Sequence, residues 1–438
     1  MPDCTVQSEL FGRVGRRDVE VGFDGGDVTS DAGLLLVGRA DTQLGLIERV
    51  AQALSDRRDA SRIEHGVVQM LRQRVYGLVQ GYEDLNDHDR LRHDLALQTA
   101  LGKVTAGASS PTLCRFEQRA DRAAAVAIHE VILDRFIASH AAAPEELVLD
   151  FDATDDSVHG KQEGRFFHGY YDQYCFLPLY VFCGEQLLVS YLRPANIDGA
   201  RHAGAILKLL VKRLRAAWPD VRIVVRGDSG FCRRRLLAWC ERNAVGYVVG
   251  LARNVRIEYL SSWWRESAME AYELTGQGVR CFGEVHYRAG TWKQPRRVIV
   301  KAEITHTAKD NPRFVVTNLE GHPQWLYEQL YCARGEMENR IKECQLGLFA
   351  DRTSCHRWWP NQFRLLLASL GYILMQHIRQ IGLAGSELAG AQAETIRTRL
   401  LKVGAVIVRN TRRIRFFIAS AFPQREAFLS AARHLNSG

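Results

Sequence analysis

Nothing in the sequence approaches the roughly 18 to 20 consecutive apolar residues that a membrane-crossing helix needs, so no spanning segment is expected. The opening stretch MPDCTVQSELFGR carries acids and lacks an apolar run, which argues against a secretory leader. None of the ten cysteines forms a Cys-x-x-Cys pair. Structural zinc sites usually need such close ligand pairs, and disulfide scaffolds belong to short secreted chains, so buried, reduced thiols are the expectation. The neighbours Cys355-His356 are a weak metal signal on their own. No internal repeat or low-complexity tract is visible. Together these absences predict a soluble intracellular protein.

Lysine is also scarce, with nine against 49 arginines. Arginine suits bidentate contacts to phosphate and guanine, although a GC-rich genome also favours it. The net charge of +8 is a modest field for 438 residues and does not by itself decide for nucleic acid. With 46% hydrophobic and 25% charged residues the composition is globular. The length suits two to four domains, at roughly 100 to 200 residues each.

Residues 1–142 read as a mostly helical region, with apolar residues at helical spacing over 62–81 and 121–140. Between them, ASSPTLCRFEQRA offers Ser110 as an N-cap, Pro111 at the first helical position, and Arg115 and Arg119 one turn apart. Such a helix suits either a DNA-recognition role or an ordinary place in a bundle. From residue 143 the texture changes. LVLDFDAT, YCFLPLYVFCG and QLLVSYLRP read as strands, and helix–strand alternation follows to about 255, which fits a mixed α/β sheet. Residues 256–310, with alternating segments such as VRCFGEVHYRAGTW, read as a β-rich insertion. The α/β pattern resumes over 311–385, including a long helix from about 324 to 350. The remaining 386–438 is basic, with Arg412 and Arg413 among its cations.

Three acidic positions interrupt or end apolar runs. Strand alternation in LVLDFDAT puts Val148, Asp150 and Asp152 on one face. Asp228 ends the strand VRIVVRGD, a common place for catalytic groups in α/β sheets and also for a capping Asp. On the helix LYCARGEMENRIKECQLGLF, a rotation of about 100° per residue gathers Tyr331, Arg334, Glu338 and Gln345 within about 60°. Glu336 and Glu343 then point the other way. A polar stripe beside a core needs partners, and a metal-bound carboxylate next to phosphate-facing groups supplies them. Three carboxylates gathered without a metal repel, whereas hard divalent cations want oxygen ligands. Paired ions would stabilise both the attacking and the leaving oxygen of a phosphodiester.

The segments LDFDATDDSVHGKQEG, GYYDQYCFLPLYVFCG, RGDSGF, GLARN and YCARGEMENRIKECQLGLFADRTS, with GYEDLNDHDRLRHD nearer the N-terminus, resemble those of bacterial DDE-type insertion-sequence transposases. More narrowly, they are similar to the insertion-sequence 1380 family, or transposase DDE group one. That resemblance covers nearly the whole chain. It implies an RNase H-like catalytic core with an insertion between the second Asp and the Glu. By motif it assigns the three metal-binding catalytic acids to Asp152, Asp228 and Glu338. Asp150, on the same face as Asp152, stays a second candidate for the first ligand. The wider signature Tyr-x2-Arg-x3-Glu-x6-Lys falls on Tyr331, Arg334, Glu338 and Gln345, with Gln in place of the final Lys.

The implied chemistry is cleavage at transposon ends with two magnesium ions, manganese being a substitute, followed by attack of the freed 3′-hydroxyl on target DNA. Tyr331 and Arg334 would hold phosphate, joined by Gln345 if the Gln serves as the Lys does. Trp263, Trp264 and Trp292 would stack on an unpaired base or else form a small core within the insertion. The N-terminal helices, with Arg115 and Arg119, would read the ends, and the basic tail with Arg412 and Arg413 would add phosphate contacts. A homodimer on double-stranded DNA, in a bacterial cytoplasm and associated with the nucleoid, is the expectation from the family. Other readings predict different behaviour. GDSG at 227–230 looks like a serine-protease nucleophile segment, but it sits between a buried strand and a helix. A transposase-derived repressor without catalysis, or a nuclease without strand transfer, would share most of these residues.

Overall fold

The computed structural model describes residues 9–437. Cys4 and the start of the opening stretch lie outside the described residues. Contacts divide the chain into two units. The first runs through Ala120 and takes up Gly347–Phe349 and Leu370 onward; the second holds Asp121–Leu346 and Ala350–Ser369. These borders differ from those read in the sequence. Helix Arg122–Ala138 goes with the second unit because Ile132 and Phe136 are buried there and His129 Nε2 lies 3.2 Å from the Ser190 carbonyl. The basic tail belongs to the same unit as the N-terminal helices.

The first unit is not helical from its start, as the apolar spacing had suggested. It opens with an antiparallel hairpin, Glu9–Val14 with Arg17–Val21, turned at Gly15, whose φ of 64° suits glycine. Asp27–Thr29 then pairs with Ala405–Arg409, which pairs with Ile414–Ile418. Helices follow, among them Val67–Gln80 and Ser110–Gln118. These two are joined by a buried ion pair, Arg74 to Glu117 at 2.7 Å. The N-cap position of the second is Ser109 and not Ser110, without a side-chain capping bond, and the Ser110 backbone N–H and hydroxyl both donate to Asp89.

The second unit is built on an eight-stranded mixed sheet. In chain order its strands are β1 (Glu146–Ala153), β2 (Leu179–Cys183), β3 (Gln186–Tyr191), β4 (Arg222–Gly227), β5 (Gly246–Leu251), β6 (Val279–Tyr287), β7 (Arg296–Ile304) and β8 (Arg313–Thr317). Their spatial order is β6-β7-β8-β5-β4-β1-β2-β3, with β1, β4 and β5 mutually parallel and every other pair antiparallel.

Period-two alternation sorts the side chains. Leu147, Leu149, Phe151, Val225 and Val249 enter one core with Leu207, Leu210 and Leu214 of helix Ala203–Ala217. Each such buried leucine contributes about 1.5–3 kcal/mol. Val248, Ile299 and Val315 face the other way and pack with Leu326 and Tyr327. Asp150, Asp152 and Arg226 alternate with the first set, so they lie on this second side, under the segment that follows Pro323.

Two expectations need correction. Residues 256–310 are not simply β-rich. They hold most of helix Val255–Leu260 and all of helix Ser262–Thr275 before β6 and β7, and those strands extend the main sheet. Both faces of β7 are covered, so its side chains are buried almost without interruption and it pairs directly with β8. The long helix expected from 324 is also not uniform. It runs as α over Pro323–Trp325, π over Leu326–Tyr331, 3-10 over Cys332–Arg334, α over Gly335–Lys342 and π over Glu343–Gly347. No helix among the described residues is long and apolar enough to cross a membrane.

Candidate active site

Parallel pairing of β1 with β4 sets Gly227 opposite Phe151. Continuing that register by one residue puts Asp228 beside Asp152, at the same ends of adjacent strands. The two carboxylates are held locally. Asp152 accepts from the Ala153 backbone N–H at 2.9 Å, and Asp228 accepts from Gly230 at 2.9 Å as the cap of the short turn Ser229–Phe231. Glu338 comes from the helical segment across this face. Asp152, Asp228, Glu338, Arg334 and Gln345 all line one cleft of about 780 Å³.

The cleft is electrostatically tense. Arg334 lies 3.6 Å from Asp152 and 3.0 Å from Glu338, bridging two of the acids. Burial nevertheless raises the Asp152 carboxyl to about 6; Arg334 opposes the rise, while Asp228 and Glu338 add to it. The three acids therefore sense one another across the cleft.

Asp150 has a different fate. Its carboxylate is gripped on both oxygens by Arg226, at 2.7 Å for Nη2 to Oδ2, and Arg226 also donates to the Leu330 carbonyl at 2.5 Å. The pair ties β1 and β4 to the residue just before Tyr331. Asp150 does not line the cleft. Tyr331 sits beside it, with its phenol against Gly250. A methyl group on Gly250 would stand 2.7 Å from that oxygen and 2.8 Å from the Ser229 nitrogen, so the close approach needs glycine there. Burial raises the Tyr331 phenol; Arg334 opposes that rise and Asp228 adds to it. Gln345 donates to the Asp155 carbonyl at 2.8 Å, fastening the helical segment to the loop after β1.

Other predicted contacts fall elsewhere. Trp292 is 6% exposed and packs edge-on against Tyr287, with Arg296 over its ring. Trp264 packs partly buried against the core. Trp292 therefore takes the core role that the sequence offered as the alternative to stacking, and Trp264 packs at the edge of that core. Trp263 is 65% exposed, but none of the three tryptophans lines the cleft. In the first unit, Arg115 and Arg119 are exposed on helix Ser110–Gln118 and at its end. Arg412 and Arg413 are exposed in the turn after Ala405–Arg409, where both backbone N–H groups donate to Asn410. Sequence reasoning missed Arg233 and Lys342, which add positive charge to the cleft, and the aromatic group His168, Tyr170 and Tyr171 on its wall. It also missed the Arg226 clamp.

The donor set fits hard divalent cations in kind, being three carboxylates, one of them raised by burial and the other acids. Arg334 now supplies the positive charge between Asp152 and Glu338. Among the described residues, no three His, Cys, Asp or Glu side chains already stand close enough to hold one ion.

The cleft thus joins carboxylates at the ends of two adjacent parallel strands and on a facing helix with arginine and lysine around them. The chain belongs to the family described as transposase DDE domain group 1, whose profile matches residues 11–437. No protein with a curated description matches it. Among solved structures it is similar to a piggyBac transposase synaptic complex with hairpin DNA. The identity is 11%, the match covers 85% of this chain and 80% of the other, and the TM-score is 0.41.

Proposed function

We propose that this transposase cleaves the ends of an insertion sequence and joins the 3′-hydroxyl ends to target DNA, with Asp152, Asp228 and Glu338 as its metal-holding catalytic acids. The observation that carries the proposal is the convergence of these acids, from two parallel strands and a facing helix, in one cleft with Arg334. The β3-β2-β1-β4-β5 order, with β2 antiparallel to β1, supports an RNase H-like core. The GDSG segment serves this reading as the step that presents Asp228, within a mixed α/β sheet and not a pair of β-barrels.

Asp152, Asp228 and Glu338 would hold magnesium. When bound, the divalent cations supply Lewis-acid charge to the attacking and leaving oxygens of the phosphodiester. Arg334 exchanges its carboxylate partners for a DNA phosphate, so the cleft passes from a state in which one arginine is shared between two acids to a substrate-loaded one. Arg233 and Lys342 hold the strand's neighbouring phosphates. Tyr331, fixed between Gly250 and the Asp228 turn, keeps the helix in register with the strands. Each joining step exchanges one phosphodiester bond for another, so no external energy source is needed.

The test uses purified protein and a labelled duplex carrying the ends of the flanking DNA element, with a plasmid target, in magnesium and in EDTA. Joined product that depends on magnesium is expected. Binding without cleavage would replace the proposal with a repressor, and cleavage without joining would replace it with a nuclease.

A further inference from the structure

The cleft has a wall that neither the acids nor the arginines explain. Between β1 and β2 the chain forms a small sheet in which Phe166–His168 pairs with Gln173–Phe176, and the latter pairs with Asp156–Ser157. The turn Gly169-Tyr170-Tyr171-Asp172 closes that hairpin, with Asp172 at φ 52°. From the hairpin and its turn, His168, Tyr170 and Tyr171 line the same cleft as the three acids. Their rings form a step. His168 and Tyr171 are 4.9 Å apart, and Tyr170 meets Tyr171 edge-on at 5.0 Å.

The inner ring is fixed and the outer one is open. Tyr171 packs against the cluster of Cys175, Leu177 and Ala195. It lines the cleft together with Asp152 and Asp155. Tyr170 is 84% exposed. His168 Nδ1 is buried without a hydrogen-bond partner. The hairpin itself is braced, since Gln173 donates to Asp155 at 2.6 Å and Phe176 packs edge-on against Trp358. A braced aromatic step beside cationic groups matches the chemistry of an unstacked nucleobase, whose π-face stacks on a ring while its phosphates meet positive charge.

We propose that Tyr170, backed by Tyr171 and His168, stacks on an unpaired nucleobase of the DNA strand whose phosphodiester lies at Asp152, Asp228 and Glu338. This assigns a stacking role to the hairpin, whose rings line the cleft, whereas Trp263, Trp264 and Trp292 do not. It rests on the DNA-cleaving reading of the cleft.

The experiment uses the full chain, with Tyr170→Ala, Tyr170→Phe and, as an exposed aromatic outside the cleft, Tyr259→Ala. Two readouts separate the two readings. In EDTA, affinity is compared for an end duplex that is fully paired and one with its last bases unpaired. Wild type should prefer the unpaired end; Tyr170→Ala should lose roughly tenfold to a hundredfold on that duplex alone, while the Phe and Tyr259 variants keep the preference. In magnesium, Tyr170→Ala should slow cleavage of paired ends, and an abasic site at the stacked position should bring wild type and variant together. Equal preference in wild type and Tyr170→Ala, or a cleavage defect that an abasic site leaves unchanged, overturns the inference even if wild type transposes. A Tyr170-dependent preference in a protein that never cleaves sustains the stacking site and overturns the transposase reading instead.

Discussion

Asp150 and Asp152 sit two residues apart on the same face of β1, burial raises both carboxyls and each meets an arginine, yet the two arginines hold them differently. Asp150 is 2% exposed, gripped on both oxygens by Arg226, and that arginine is fully engaged by the carboxylate and a backbone carbonyl. Asp152 has a looser arginine at 3.6 Å, shared with Glu338, and its carboxyl stays raised to about 6. A buried carboxylate whose partner is saturated has little capacity left for a ligand. One whose partner is divided among several acids keeps an unmet charge, and that unmet charge is what a cation or a phosphate-bound arginine can exploit.

The largest contrast between the two should appear in cleavage. Asp152→Asn and Asp228→Asn each remove a proposed ligand while preserving shape. Cleavage should fall at least about a thousandfold, corresponding to several kcal/mol of lost charge stabilisation, with end binding retained in a gel-shift assay. Retained magnesium-dependent cleavage in either variant would strike that residue from the site. Asp150→Ala should act through the fold instead. Stranding the buried Arg226 costs about 3–5 kcal/mol, so thermal or urea denaturation should show the loss directly. A fully stable Asp150→Ala protein that no longer cleaves would reverse the two assignments.

The same comparison predicts a stability effect of opposite sign. Free aspartate titrates near 4, and Asp152 titrates at about 6 in the fold, so the folded state prefers its neutral form. Below about pH 4 the residue is neutral in both states and costs nothing. As pH rises through about 6 the metal-free protein loses stability, up to about 3 kcal/mol. Asp152→Asn should therefore melt several degrees higher than wild type at pH 8 and equal to it near pH 4, with EDTA present throughout. Magnesium at pH 8 should raise the melting temperature of wild type and leave the variant nearly unmoved. A variant no more stable than wild type at pH 8 would mean that the Asp152 charge is already satisfied.

Much of this site was legible in the sequence because its geometry is local. Alternation put Asp150 and Asp152 on one face, and Asp228 announced itself as the end of an apolar strand. The helical wheel linked Arg334, Glu338 and Gln345 because Gly335–Lys342 is α-helical and Gln345 follows within one turn. Tyr331 fits that wheel less well, since π and 3-10 turns precede the α segment and rotate it toward Gly250. Alternation alone could not choose between the aspartates, and only the family resemblance put Asp152 first, because Arg226 lies 76 residues from Asp150 and only strand pairing joins them. For the tryptophans the sequence left base stacking and a small core both open, for a related reason. Alternation in β6 and β7 signals a covered surface without saying which elements cover it, and the edge strands proved to be part of the main sheet. Tyr170 and Tyr171 lie in a turn, where no period marks which ring is open.

The smallest effect tests the wheel itself. Glu336 and Glu338 are two residues apart, and both face water to a degree, at 71% and 49% exposed side chain. Glu338 reaches Arg334 in the cleft, whereas Glu336 pairs with Arg340 at 3.3 Å on the outside. An exposed pair of that kind contributes at most about 0.5 kcal/mol. Glu336→Gln should leave cleavage within about twofold and the melting temperature almost unmoved, while Glu338→Gln loses cleavage. If Glu336→Gln were the inactive one, the helix would be turned by more than a quarter rotation, and the third acid would have to be reassigned.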